Sequence, residues 1–185
     1  AAMFGKGSDA KYLAGGHTLI PVMKQRLAAP TDVIDLGKIK ELVGIEASGD
    51  TLTIKAATTY FDIMQSADVK KSIPAIAYLT SVLGDPAVRY RGTIGGSVAN
   101  NDPNADYPAA CLGLGATIVT NKRKIAADDY FKGMFDTALE PDEIITEITF
   151  PIVKKAAYQK FKHPASGFAL VGVVMAAGTL NIGKI

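Results

Sequence analysis

Short apolar runs alternate with polar breaks along this chain, and the period of each run predicts its element. Lys11 to Ala14 is a brief strand-like run that Gly15-Gly16 interrupts. His17-Thr18 caps a predicted helix from Leu19 to Ala28, with Pro21 in the first turn, where a missing N–H costs nothing. Ile20, Met23 and Leu27 fall on one face of that helix. Asp32 to Leu36 is a second strand. A strand–turn–helix–strand unit of this kind usually closes as a right-handed crossover between parallel strands.

Thr51 to Ala57 alternates strictly, with Leu52, Ile54 and Ala56 on one side. Thr58 or Thr59 caps a helix to about Ala67, and a second helix from Ile73 to Leu83 stops at Gly84-Asp85-Pro86. Val88 to Asp106 is dense in Gly, Asn and Asp, too polar for a core strand and too well bounded for a linker. Pro108 to Leu114 is a helix ended by Gly115. Strands follow at Ala116–Thr120, Ile144–Phe150, Ala157–Lys162 and Phe168–Ala177, with a turn before Ile125. The predicted class is α+β: a small βαβ-like N-terminal unit, residues 1–46, then a larger and mainly antiparallel unit with helices, residues 47–177. The boundary falls between Gly44 and Asp50. The opening Ala-Ala-Met reads as the tail of a helix, and 178–185 reads as the start of a truncated C-terminal domain, so the chain is expected to be a piece of a longer subunit.

Composition narrows the chemistry by exclusion. Twenty basic against 18 acidic residues in 185 leave a net charge of +2, with no field of one sign to attract nucleic acid or an anionic membrane. The run Lys122-Arg123-Lys124 reads as a solvated hairpin turn. One cysteine, Cys111, makes no internal disulfide and supplies too few thiolates for an iron–sulfur cluster. His17 and His163 are too few and too far apart for a Cys/His zinc site. Redox work would fall to an organic cofactor. The absence of disulfides fits a reducing cytoplasm, and no apolar stretch reaches the ~20 residues of a membrane span.

Two Gly-Gly turns stand out, Ala14-Gly15-Gly16-His17-Thr18 and Thr93-Ile94-Gly95-Gly96-Ser97. Without Cβ atoms, such a turn lets a phosphate approach the backbone, and a following helix adds the positive end of its dipole. Neither turn matches the Rossmann or P-loop fingerprint. Each alone is better read as a structural feature, the first as a tight turn, the second as a β-bulge or irregular loop. Together, 80 residues apart, they can clamp a dinucleotide pyrophosphate from two sides. Behind them Asn100, Asn101, Asp102, Asn104 and Asp106 suit Asx turns and helix capping, with one or two left to meet a sugar hydroxyl. Arg89 and Arg91 could neutralise the pyrophosphate or pair with surface acids. His163-Pro164-Ala165-Ser166 follows a strand and could face a ligand cleft. No nucleophile–base pair and no metal-binding signature appears, so no catalytic residue is assigned.

Five segments in order carry a family likeness: Leu13 to Lys24, Thr93 to Pro103, Ala105 to Ala110, Leu139 to Ile145 and Tyr158 to Ser166. Over nearly its whole length the chain resembles the FAD-binding medium subunit of molybdenum hydroxylases, the group of aerobic carbon monoxide dehydrogenase and xanthine dehydrogenase. The resemblance implies a two-part FAD-binding domain of the vanillyl-alcohol-oxidase type, with FAD between its two units. It implies that Leu13, Ala14, Gly15, Gly16, His17, Thr18 and Leu19, together with Thr93, Ile94, Gly95, Gly96 and Ser97, hold the pyrophosphate. Asp106 matches a carboxylate near the flavin's hydroxyl-bearing chain, Leu83 and Ile145 match apolar contacts, and Lys162 matches a basic contact at the cofactor's edge.

The implied role is an electron outlet. A large molybdopterin subunit would oxidise the substrate, and a small subunit with two [2Fe-2S] clusters would pass electrons to FAD on this chain and on to an external acceptor. A dimer of such heterotrimers is the implied assembly. Carbon monoxide, an aldehyde and a heteroaromatic ring all remain open as substrates. A stand-alone flavin oxidoreductase of the same fold is the alternative.

Overall fold

The computed structural model describes residues 9–176 and 179–183. The expected helical tail at the N-terminus lies outside these residues. Strand β1 (Ala10–Leu13) pairs in parallel with β2 (Asp32–Asp35), Ala10 opposite Asp32 and Leu13 opposite Asp35. Between them runs α1 (Leu19–Lys24), so the βαβ unit forms as the pattern predicts. The helix stops short of Ala28 because Arg26 turns left-handed, with φ 57°. It buries no residue, and Leu27 is 79% exposed. Ile20, on the same expected face, is 40% exposed, while Leu19 and Val22 line a cleft.

After a 3-10 turn at Lys40–Leu42, β3 (Ile45–Ser48) and β4 (Thr51–Lys55) form a hairpin. They open a five-stranded antiparallel sheet of order β3-β4-β9-β5-β6, completed by β5 (Thr117–Thr120), β6 (Lys124–Ala126) and β9 (Ile145–Pro151). Leu52 and Ile54 on β4 are wholly buried, as their alternation requires, and meet Ile118, Ile148 and Phe150 in one core. Strand β3 lies in the expected boundary stretch yet already belongs to this sheet.

Helices cover the sheet. Thr59 caps α2 (Tyr60–Gln65) by accepting from the Asp62 N–H at 3.2 Å. Ser66 then breaks the helix and caps α3 (Ala67–Ser72), an element the pattern had not separated. Pro74 opens α4 (Pro74–Ser81). The polar stretch from Val88 holds two helices, α5 (Pro86–Arg91) and α6 (Ile94–Asn100). The second Gly-Gly pair is therefore the first turn of a helix and neither a bulge nor an irregular loop. Then come α7 (Asp106–Gly113), α8 (Ala127–Tyr130) and a small hairpin of β7 (Phe131–Gly133) and β8 (Asp136–Thr137).

A separate three-stranded antiparallel sheet closes the described chain: β10 (Ala156–Lys162), β11 (Ala169–Ala176) and β12 (Thr179–Gly183). Its inner face buries Tyr158, Val174 and Ala176 against the helices. Among the described residues, no helix is long and apolar enough to cross a membrane.

Candidate functional site

The C-terminal end of β1 opens into a cleft of about 960 Å³, within the usual range for cofactor pockets. The first Gly turn forms its floor. Gly15 packs so closely on the backbone before Gly92 that a Cβ there would overlap the Arg91 carbonyl oxygen. Gly16 adopts φ +77°, the left-handed region a side chain resists. Among the described residues, the N–H groups of Gly15, Gly16, His17 and Thr18 have no intramolecular acceptor. Four free donors in one turn are a site for oxygen-rich anions. His17 is exposed, with Nδ1 3.3 Å from the Gly15 carbonyl of its own turn.

The second turn faces the first, but its backbone is already committed. Ile94 N–H donates to the Thr58 carbonyl at 3.3 Å, Gly95 N–H to the Ala56 carbonyl at 2.9 Å and Gly96 N–H to the capping Thr93 hydroxyl at 3.2 Å. The glycines here serve close packing. A Cβ at Gly95 would lie 2.6 Å from Ala56 Cβ, while one at Gly96 would point across the gap, 3.9 Å from Ala14 Cβ. The two turns therefore bound one narrow passage. Of the expected site residues, Ile94 has its side chain wholly buried in the core, outside the lining of the cleft. The other 15 expected residues all line it.

Leu83 and Ile145 form apolar wall, as do Leu42, Ala57 and Val82. Among the described residues, Arg89 pairs with no surface acid. It donates to the Leu83 carbonyl at 2.8 Å and the Gly84 carbonyl at 3.1 Å, in the turn just past the end of α4, which fixes the wall at Leu83. Arg91 is exposed. Asn101, left-handed at φ 45°, ends α6 and donates to the carbonyls of Gly133 and Asp136. Asp102 accepts from Asn104 N–H in an Asx turn. The Asn/Asp cluster is thus mostly structural, with Asn100, Asp102 and Asp106 at the cleft.

A third wall, Leu139 to Ile145, is held by the basic run read as a solvated turn. Arg123 makes a two-pronged pair with Glu143, Nε to Oε1 and Nη2 to Oε2, both at 3.0 Å, and Thr120 donates to the same carboxylate at 2.6 Å. Glu143 is buried, and the Arg123 guanidinium holds its carboxyl down to about 2, against the cost of burial. Lys122 reaches Glu140 at 2.7 Å and Asp142 at 2.6 Å. The turn is a clamp because its acidic partners lie about 20 residues further along the chain.

The fourth wall is β10 and the turn after it. Lys162 is exposed at the rim. Lys160, on the same face of the strand, is buried and pairs with Asp106 at 3.0 Å. Tyr158 donates to the other Asp106 oxygen. The ring of His163 accepts from the N–H groups of Ala165 and Ser166, so it shapes the turn and does not itself line the cleft, which Ala165 to Phe168 do. Tyr60, also at the cleft, touches the backbone of Gly92. Burial pushes its hydroxyl up to about 12, which a neighbouring Ser97 hydroxyl partly offsets. Tyr60, Glu143 and Lys160 were missed from sequence. Only Lys160 left a local signal, its period-2 spacing from Lys162.

Such a cleft suits an elongated molecule with a phosphate-rich middle and at least one apolar end. Free backbone donors, a Cβ-free passage and apolar walls at the sides fit a dinucleotide carrying a flat ring system. The class follows directly from comparison with known families: the model for the FAD binding domain in molybdopterin dehydrogenase matches residues 1–153, and the chain belongs to that family. The carbon monoxide dehydrogenase medium chain of Afipia carboxidovorans is 40% identical over 96% of this chain and 64% of its own length. The glyceraldehyde dehydrogenase medium chain of Sulfolobus acidocaldarius is 36% identical over 95% of this chain and 65% of its own. Among solved structures, carbon monoxide dehydrogenase from Hydrogenophaga pseudoflava superposes with a TM-score of 0.90 at 38% identity, covering 98% of this chain and 68% of that one. Quinoline 2-oxidoreductase from Pseudomonas putida gives 0.90 at 30%, covering 95% and 63%. The chain thus spans somewhat under two thirds of the curated relatives it matches.

Proposed function

We propose that this chain is the FAD-holding electron-transfer part of a molybdenum-containing hydroxylase. The observation that carries this reading is the passage between the two Gly turns, with four free N–H groups on one side, in a chain of the FAD-binding family. In it, Gly15 to Thr18 bind the pyrophosphate by hydrogen bonding, and Ala14, Gly96 and Ser97 shape the opposite side. Leu13 and Leu19 flank the first turn, Thr93 caps the second, and Gly95 packs it against the core. Leu83 and Ile145 take apolar parts of the cofactor, and Lys162 meets its edge. Bound FAD supplies two-electron and one-electron redox chemistry. The two buried carboxylates at the cleft, Asp106 and Glu143, are both committed to cations, which suits a site that holds a cofactor and moves no proton for a substrate.

The partners in this reading are a large molybdopterin subunit and a small subunit with [2Fe-2S] clusters, which deliver the electrons. A dimer of heterotrimers is the assembly, and a reducing cytoplasm its compartment, in line with a single, buried cysteine. The test is co-purification and reduction. The native complex should be yellow, contain molybdenum and iron, and lose flavin absorbance when substrate is added anaerobically. A folded chain that takes up no FAD from solution refutes the reading at its base.

A further inference from the structure

Residues 156–183 lie beyond the part of the chain that matches the FAD-binding family, 1–153. Yet β10 supplies Lys160 and Lys162 to the cleft, and the turn after it supplies Ala165 to Phe168. This wall rides on its own three-stranded sheet. Besides the apolar packing of Tyr158, Val174 and Ala176, a polar tie joins it to the helical core. Asp106, the first residue of α7, accepts from Tyr158 on one oxygen and from Lys160 on the other. The side chains of Lys160 and Asp106 are 3% and 1% exposed. Gly172 on the neighbouring strand makes room for the Tyr158 ring, since a Cβ there would sit 2.8 Å from the hydroxyl.

A buried ion pair is a poor way to add stability. Desolvation consumes most of the attraction, and apolar residues of equal volume do as well or better. What it supplies is one permitted geometry, because a buried lysine displaced from its carboxylate is left unpaired. The lock sits at the cleft itself, because Asp106 and Lys160 both line it.

Resting on the function proposed above, we infer that Lys160 is a positioning residue of the cofactor site. With Tyr158 it locks β10 onto Asp106 and so sets the wall that closes on the dinucleotide. Asp106 anchors this wall from the side of α7.

Linkage separates this role from plain stabilisation. A lock that only holds the fold together leaves FAD affinity unchanged in any variant that still folds; a lock that sets the wall changes it. The experiment titrates FAD into the cofactor-free full chain, followed by flavin fluorescence, for the wild type, Lys160→Met and Tyr158→Phe. Thermal unfolding without FAD is measured alongside. The dissociation constant should rise roughly tenfold or more in Lys160→Met and roughly threefold in Tyr158→Phe. Should Lys160→Met fail to fold, Tyr158→Phe, which keeps the ion pair, decides the matter. Affinity within about twofold of wild type in the folded variants overturns the role of Lys160 alone. A wild type that takes up no FAD overturns the reading of the site and this role with it.

Discussion

Gly95 and Gly96 are neighbours with opposite duties, and single alanine substitutions should separate them. A methyl group at Gly95 would lie 2.6 Å from Ala56 Cβ and 2.7 Å from the Ala56 carbonyl oxygen, far inside the ~3.5–4 Å of favourable contact. Ala56 cannot retreat easily, because its N–H donates to the Thr146 carbonyl at 2.9 Å and its carbonyl accepts from Gly95 at 2.9 Å. Overpacking against fixed backbone costs about 3 kcal/mol, the upper end of the usual range. For a chain of this size, that lowers Tm by roughly 6–12 °C. At Gly96 the nearest atom is the Thr93 hydroxyl at 2.9 Å, which can rotate away, and the next is Ala14 Cβ at 3.9 Å. Losing the cap costs about 1 kcal/mol, which alanine's better helix propensity largely returns. Gly96→Ala should therefore melt within about 3 °C of wild type while narrowing the passage between the turns. Its dissociation constant for FAD should rise about 10- to 100-fold, the equivalent of one or two lost tenfold steps of 1.4 kcal/mol. Thermal unfolding of the cofactor-free protein and FAD titration read the two effects independently. Wild-type affinity in Gly96→Ala, or a Gly95→Ala protein as stable as Gly96→Ala, would refute the division of labour.

Other outcomes follow from the walls. Glu143 has its pKa depressed to about 2 from an ordinary 4.5, so the stability it contributes is full above pH 4.5 and is lost as pH falls through 2. Acid unfolding of Glu143→Gln should lack that component. Arg123→Ala, which leaves Glu143 buried without its cation, should destabilise by about 2 kcal/mol, less than a fully buried pair because Arg123 is half exposed; denaturant titration measures it. Arg89→Ala removes two hydrogen bonds from the turn after α4 and should cost about 1 kcal/mol, with faster hydrolysis at Leu83-Gly84 in limited proteolysis. Burial pushes the Cys111 thiol up, so a thiol reagent should label it only at the rate of unfolding.

The parts of the fold legible in sequence are those set by near neighbours. Alternation marked β4 through Leu52 and Ile54, and the run from Lys11 to Leu36 marked the βαβ unit, because each needs only its own period and its breakers. Strand β3 escaped notice since Glu46 and Ser48 are exposed and its one partner is β4. Helix α6 hid behind Gly95-Gly96, whose low helix propensity is overridden by the Thr93 cap and the burial of Ile94 and Val98. Both Gly turns were visible as a pair, but not that one is spent on packing, since Ala56 and Thr58 lie nearly 40 residues away. The same distance problem concealed the pairs Arg123–Glu143 and Lys160–Asp106. Charge partners that far apart leave no local period.

The unequal commitment of the two turns also bears on how the protein waits for its cofactor. Gly95 and Gly96 are tied into the core whether or not anything is bound, so their amide protons should exchange with solvent only on larger opening of the structure. The donors of Gly15 to Thr18 answer to water until a phosphate arrives, so they should exchange freely before loading and slow sharply after it. One side of the passage is then a template present from folding onward, and the other is finished by the ligand itself. Deuterium uptake at just these two stretches would time the moment at which the subunit becomes loaded.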